Sequence, residues 1–186
     1  LIHVVVRGPL DADGERPQRF AGAVTTFDEL GRLIRQYRPR RVVIDGLPET
    51  RMARKLQEDF PAGLVWLAYF TDRGKDEEAV WFDKEKGTVS VDRTRTLDGM
   101  LEGFSEVMQE NTLPANAREI GGGDYYRHMT EPVRVIEEGR RAAAVARYVS
   151  ERADHYCFAE NYCHVAAMGG KMRRLGVVAG MGAKGW

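Results

Sequence analysis

The chain opens on Leu1–Arg7 (LIHVVVR), a run of β-branched residues that stops at Gly8-Pro9. This predicts a strand followed by a break. Asp13-Gly14 marks a turn, and Phe20–Thr25 (FAGAVT) predicts an antiparallel partner strand. Thr26 with Glu29 three residues on is close to a capping box, so a helix is predicted from Phe27 to about Tyr37. Phe27, Leu30, Leu33, Ile34 and Tyr37 share one face at helical spacing, and Pro39 stops the helix. Arg41–Asp45 (RVVID) is apolar on both faces, as in a central strand covered on both sides. A helix follows from about Glu49 to Asp59, with Met52, Ala53, Leu56 and Phe60 inward. Pro61-Ala62-Gly63 breaks it before a second buried strand, Leu64–Phe70 (LVWLAYF). Strand, helix and strand over about 30 residues form a parallel βαβ unit.

Further along, Ala79–Phe82 and Thr88–Asp92 flank Asp83-Lys84-Glu85-Lys86-Gly87, the pattern of a β-hairpin. A helix is predicted from Thr94 to about Gln109, carrying Leu97, Met100, Leu101, Phe104, Val107 and Met108. Glu110–Gly123 is irregular. A short helix from Tyr125, a strand from Pro132 and a partner strand Ala144–Ser150 follow. The last helix is Arg152–Ala167. Gly169–Trp186 holds six glycines, four basic residues and no acid, which predicts a mobile basic tail. The division is a domain over 1–168 and a flexible Gly-rich tail over 169–186.

At 186 residues, 43% hydrophobic and 30% charged, the chain is that of one globular domain rather than a disordered protein. No apolar run approaches the roughly 18 residues of a membrane span. Lys+Arg and Asp+Glu are equal at 28 each, which excludes a uniformly basic nucleic-acid coat but allows a basic face balanced by an acidic one. The segment Arg32–Lys55 carries eight Lys/Arg against two acids, a local charge of +6. Cys157 and Cys163 are the only cysteines. Their spacing matches neither a disulfide framework nor a zinc site, so both read as small buried hydrophobes.

Candidate chemistry gathers on a few acids. Asp45 ends a central parallel strand, where open α/β sheets place their ligands; it would equally serve to cap the next helix. Glu49, four residues on, suits a helix N-terminus or an acid behind the first. Asp154 opens the last helix. It is a preferred N-cap residue, or a second carboxylate converging with Asp45 on a hard divalent cation. His155 is a polar neighbour; the i, i+4 histidine pair of a zinc helix is absent. Basic residues that would hold phosphates are Arg51, Lys84 and Lys86 in the hairpin turn, Arg93 after it, and Lys171, Arg173 and Arg174 in the tail. Gly180–Gly185 matches G-x-G-x-x-G, but only Trp186 follows, leaving no helix to receive a pyrophosphate.

Several segments together resemble the nuclease domain of tailed-phage large terminase subunits. They are Val42-Val43-Ile44-Asp45-Gly46-Leu47-Pro48-Glu49-Thr50, Phe60-Pro61, and Val65-Trp66-Leu67-Ala68-Tyr69-Phe70. Val91-Asp92-Arg93-Thr94-Arg95 opening a helix belongs to the set. So do Asp154-His155-Tyr156 and Glu160-Asn161-Tyr162 on the last helix. The similarity runs in order from about Leu1 to Ala167.

The resemblance implies a ribonuclease H-like α/β fold: a mixed sheet flanked by helices, with an inserted β-hairpin. It implies Mg²⁺ or Mn²⁺, two ions, held by three acids. Asp45 would be the acid ending the fourth strand and Asp154 the acid on the late helix; both would be catalytic, with Glu49 and His155 behind them. Leu1–Arg7 corresponds to the second strand, so the first strand and its acid would precede Leu1, and this chain would cut weakly or not at all. The activity implied is endonucleolytic cleavage of concatemeric double-stranded DNA, by metal-activated water, during genome packaging. The partners implied are viral DNA, the portal protein and the small terminase subunit, in an oligomeric motor at the procapsid portal in the host cytoplasm, with no membrane. Two alternatives stand beside it: a catalytically silent module that grips DNA or docks on the portal, and a resolvase- or transposase-type nuclease of the same fold.

Overall fold

Strand β1 (Ile2–Arg7) sorts the interior into two layers by simple alternation. Ile2, Val4 and Val6 enter one core with Leu30, Ile34, Val42, Ile44 and Leu67. Val5 enters the other with Val43, Trp66, Ala68, Met100 and Phe158. The computed structural model describes residues 1–71, 76–138, 144–169 and 178–182. Among these, an eight-stranded mixed sheet separates the two cores, and a two-stranded sheet stands apart from it. The protein is therefore mixed α/β, a sheet with helices on both faces.

β2 (Arg16–Val24) returns antiparallel to β1. Helix α1 (Phe27–Tyr37) starts on the expected capping box: the Glu29 N–H donates to Thr26 Oγ1 and the Thr26 N–H to the Glu29 carboxylate, each at 3.2 Å. β3 (Arg41–Asp45), α2 (Thr50–Glu58) and β4 (Val65–Phe70) form the expected parallel βαβ unit. The hairpin of β5 (Val80–Asp83) and β6 (Thr88–Val91) extends the sheet, with β6 parallel to β4. Helices α1 and α2 cover one face. The other face is covered by α3 (Arg93–Glu102), α4 (Asp124–Thr130) and α5 (His155–Met168). The two-stranded sheet pairs β8 (Val133–Glu138) with β9 (Ala144–Val149).

Three expectations are corrected. α3 ends at Glu102, not near Gln109. Gly103 closes it, and the Asn111 N–H donates back to Gly103 O at 2.8 Å. A Cβ on Gly103 would lie 2.6 Å from the Asn111 side chain. The chain then forms the short strand β7 (Asn111–Thr112) beside β2, leaving Val107 and Met108 exposed. Met52, expected inward on α2, is exposed as well. Finally, part of the Gly-rich tail is not peripheral. Residues Val178–Gly182 form β10, which lies between β3 and β1, parallel to the first and antiparallel to the second. Two strand edges are paired by that segment, and backbone pairing needs no particular side chains.

Candidate active site

Arg41, Val43 and Asp45 alternate along β3 with Val42 and Ile44, which belong to the core under α1 and α2. They therefore face α5. Two contacts fix the direction of that helix. Arg41 Nη1 donates to Ala166 O at 2.7 Å, whereas the Asp45 carboxylate acts on the Tyr162 hydroxyl. The late residue of α5 thus lies over the start of β3 and the earlier one over its end. α5 runs opposite to β3, and Asp154 at its N-terminal end lies toward the edge that carries Asp45.

β1 gives an independent bearing. His3, Val5 and Arg7 also face α5, and the His3 ring stacks on His155 with centroids 4.7 Å apart. His3 pairs with Gly182 of β10, and Met181 pairs with Ile44. Asp45 and His3 therefore stand at one end of the sheet, two strands apart, with backbones roughly 10 Å from each other. Asp45 and Asp154 share one end and one face of the fold.

Neither acid is spent on capping a helix. Asp45 is half-buried, and its Oδ1 accepts the Leu47 N–H at 3.0 Å. The N-cap of α2 is Glu49, exposed and without a side-chain cap bond. Asp154 occupies the N-cap position of α5 but makes no cap bond either. It is fully buried, and its Oδ2 accepts the Ser150 hydroxyl at 2.6 Å. Gly46 lets the chain turn away after Asp45, since a Cβ there would lie 2.4 Å from the Tyr69 ring.

Around the acids lie groups the sequence does not bring together. His3, His128 and His155 have mutual ring distances of 4.7 to 5.5 Å. They line a cleft of about 670 Å³ with Asp124, Arg127, Glu131 and Arg152. Burial, then the neighbouring His155 and His128, push His3 down to about 4; burial also lowers His128. Both rings are uncharged at neutral pH. The available signal was His3 itself, a polar residue inside an apolar strand. On the other side of Asp45, Arg93 opens α3 and lies over the Phe158 and Phe70 rings at 4.7 and 5.8 Å. Burial and then the charge of Asp45 raise Tyr162 well above the ordinary phenol, while Arg93 acts in the opposite sense.

The remaining sequence candidates separate. Glu49 and Arg51 lie at the Asp45 end, both exposed. Lys84 and Lys86 do not. The Gln57 amide donates to both Gly87 O and Val65 O at 2.8 Å, so the hairpin turn sits where β4 begins, at the opposite end of the sheet. Lys86 is there paired with Asp83 at 2.9 Å. The Arg32–Lys55 segment is largely absorbed: Arg32 pairs with Glu29, Arg35 lies on the Phe60 ring, and Arg54 donates to Lys86 O. Lys171, Arg173 and Arg174 lie outside the described residues. Cys157 and Cys163 are buried, as expected, and form no disulfide.

Among the described residues, no group of three or more His, Cys, Asp or Glu is arranged to hold a metal ion. A hydrated Mg²⁺ or Mn²⁺ needs only one or two carboxylates when water and phosphate complete its shell. Asp45 and Asp154 are hard oxygen donors of that kind. No described helix is long and apolar enough to cross a membrane. Comparison with family models, with curated proteins and with solved structures finds no match.

Proposed function

We propose that this chain is a metal-dependent endonuclease domain of the large-terminase type, with a ribonuclease H-like fold, acting on double-stranded DNA. What supports this reading is that Asp45 and Asp154 lie on one face and toward one end of the sheet, with neither used as a helix cap. These two acids would hold Mg²⁺ or Mn²⁺, which supplies positive charge at the phosphodiester and an activated water. The chain's own part is orientation. The Leu47 N–H fixes the Asp45 carboxylate, and the Ser150 hydroxyl fixes that of Asp154. The uncharged His3 and His128 place no fixed cation beside them. On this reading the partners are viral DNA, the portal and the small terminase subunit, and the place of action is the procapsid portal in the host cytoplasm.

The test is plasmid cleavage in Mn²⁺. The parent chain is expected to nick the plasmid weakly at most, and Asp45→Ala and Asp154→Ala to abolish that nicking. Variants that both cut as well as the parent overturn the assignment. A second reading is a module that binds DNA without cutting it. A parent chain that binds DNA and leaves it intact selects that reading.

A further inference from the structure

Arg93 stands at the C-terminal edge of the sheet, two residues past Val91, which pairs with Phe70 at the end of β4. Phe70 follows Ala68, the register partner of Asp45. The parallel strands β3, β4 and β6 therefore deliver Asp45, Phe70 and Arg93 to one edge, and α5 lays Phe158 and Tyr162 over it. The guanidinium is held against two aromatic faces, Phe158 at 4.7 Å and Phe70 at 5.8 Å. Phe70 in turn stacks on Tyr162, with centroids 5.8 Å apart and planes 21° from parallel. The Nε of Arg93 is buried and has no hydrogen-bond acceptor among the described residues. Leaving a charged donor buried without an acceptor is costly. A cation oriented by aromatic rings at the sheet edge that carries Asp45, with a donor unsatisfied among the described residues, suits an incoming anion.

Neighbouring and other part-buried arginines are placed differently. Arg95, two residues on, is exposed and donates to Glu77 O at 2.7 Å. Arg41 also lies over a ring, that of Phe82, and its Nε also lacks an acceptor among the described residues, but its Nη1 donates to Ala166 O and it stands at the opposite end of the sheet; Arg7 is satisfied by Glu160, Arg16 O and Thr112 O. A planar guanidinium suits a phosphodiester because its N–H groups match two non-bridging oxygens at once.

We infer that Arg93 is the residue that grips the backbone phosphate lying against Asp45, donating to its non-bridging oxygens, so that it fixes the position of the bond presented to the acids. This rests on the nuclease reading above. The aromatic bracket sets the guanidinium plane, and the phosphate accepts from the part of this half-buried side chain that remains open to solvent.

The experiment measures binding of a fluorescent DNA duplex in EDTA, where nothing is cut, over a series of salt concentrations. Parent, Arg93→Ala, Arg93→Lys, Arg95→Ala and Asp45→Ala chains are compared, each checked by thermal melting. Arg93→Ala should bind about 10-fold more weakly and lower the salt slope by about 1, the loss of one phosphate contact. Arg93→Lys keeps the charge and the aliphatic packing, so it should restore most of the slope but not the cleavage rate in Mn²⁺. Arg95→Ala should change both far less, and Asp45→Ala should bind at least as well as the parent. Equal losses for Arg93→Ala and Arg95→Ala, or unchanged binding and slope for Arg93→Ala, overturn the assignment while leaving the nuclease reading intact. A parent chain that does not bind the duplex overturns both.

Discussion

Arg7 and Glu160, far apart in the chain, meet in the interior as a two-pronged pair: Nε to Oε2 at 2.7 Å and Nη2 to Oε1 at 2.9 Å. Both side chains are almost wholly buried. Oε1 also accepts the Tyr125 hydroxyl at 2.6 Å and the Gln18 amide at 2.9 Å. One carboxylate thus ties β1, β2 and α4 to α5. Removing it would strand a cation and two donors in the core. Glu160→Ala is expected to cost about 3–5 kcal/mol in urea unfolding. The exposed pair Arg147–Glu137 provides the contrast: Glu137→Ala should leave the urea midpoint almost unchanged, since exposed pairs are screened by solvent. Equal effects would show that burial does not decide the outcome.

Acid should weaken the fold through its histidines. His3 titrates near 6.5 when unfolded and about 4 when folded. Between these values the unfolded chain binds a proton that the folded chain refuses. The stability tied to the uncharged ring is therefore fully present above about pH 6.5 and is lost as pH falls toward 4. His128 and His164, also lowered by burial, act in the same direction. The unfolding free energy measured in urea should fall between pH 7 and pH 4.5, by an amount on the order of 1–3 kcal/mol. His3→Phe should flatten that slope, and a variant with the parent's slope counts against His3 as its source.

The start of α1 offers a smaller, local test. Thr26→Ala removes the acceptor for the Glu29 N–H and should cost about 1 kcal/mol. Combining it with Glu29→Ala should cost less than the two changes added separately, because each removes half of one reciprocal cap. Strict additivity would mean that the box does not act as a unit.

Deleting residues 170–186 tests the place of β10. The shortened chain loses the strand whose backbone pairs with both β3 and β1 and should melt broadly or not fold at all. A truncated chain with the parent's cooperative transition and midpoint would return the segment to the role of an appendage.

The legible parts of this protein were those written locally. RVVID declares a strand covered on both sides, and Thr26 with Glu29 declares a helix start, because each pattern completes itself within a few residues. The end of α3 was hidden because Val107 and Met108 keep the helical period, while the interruption comes from Asn111 closing on Gly103. Arg7–Glu160 left no local trace, and neither did the meeting of His3 with His128 and His155. β10 was concealed by its glycines: backbone pairing with β1 and β3 gives it a place that composition does not advertise. At the site, Asp45 could be found from its position at a strand end. The failure of Asp154 to cap its own helix could be seen only in three dimensions.

The place of β10 also governs how the protein is made. During synthesis β1 leaves the ribosome well before the segment that pairs with it on the β3 side, which comes some 170 residues later. At 5–20 residues per second that interval is roughly 10–35 s. Throughout it, the facing edges of β1 and β3 are an open slot of unpaired backbone, the form of edge most prone to recruiting a strand from another chain. A nascent chain in this state is a natural client for chaperones, and its yield should depend on them more than its final stability would suggest.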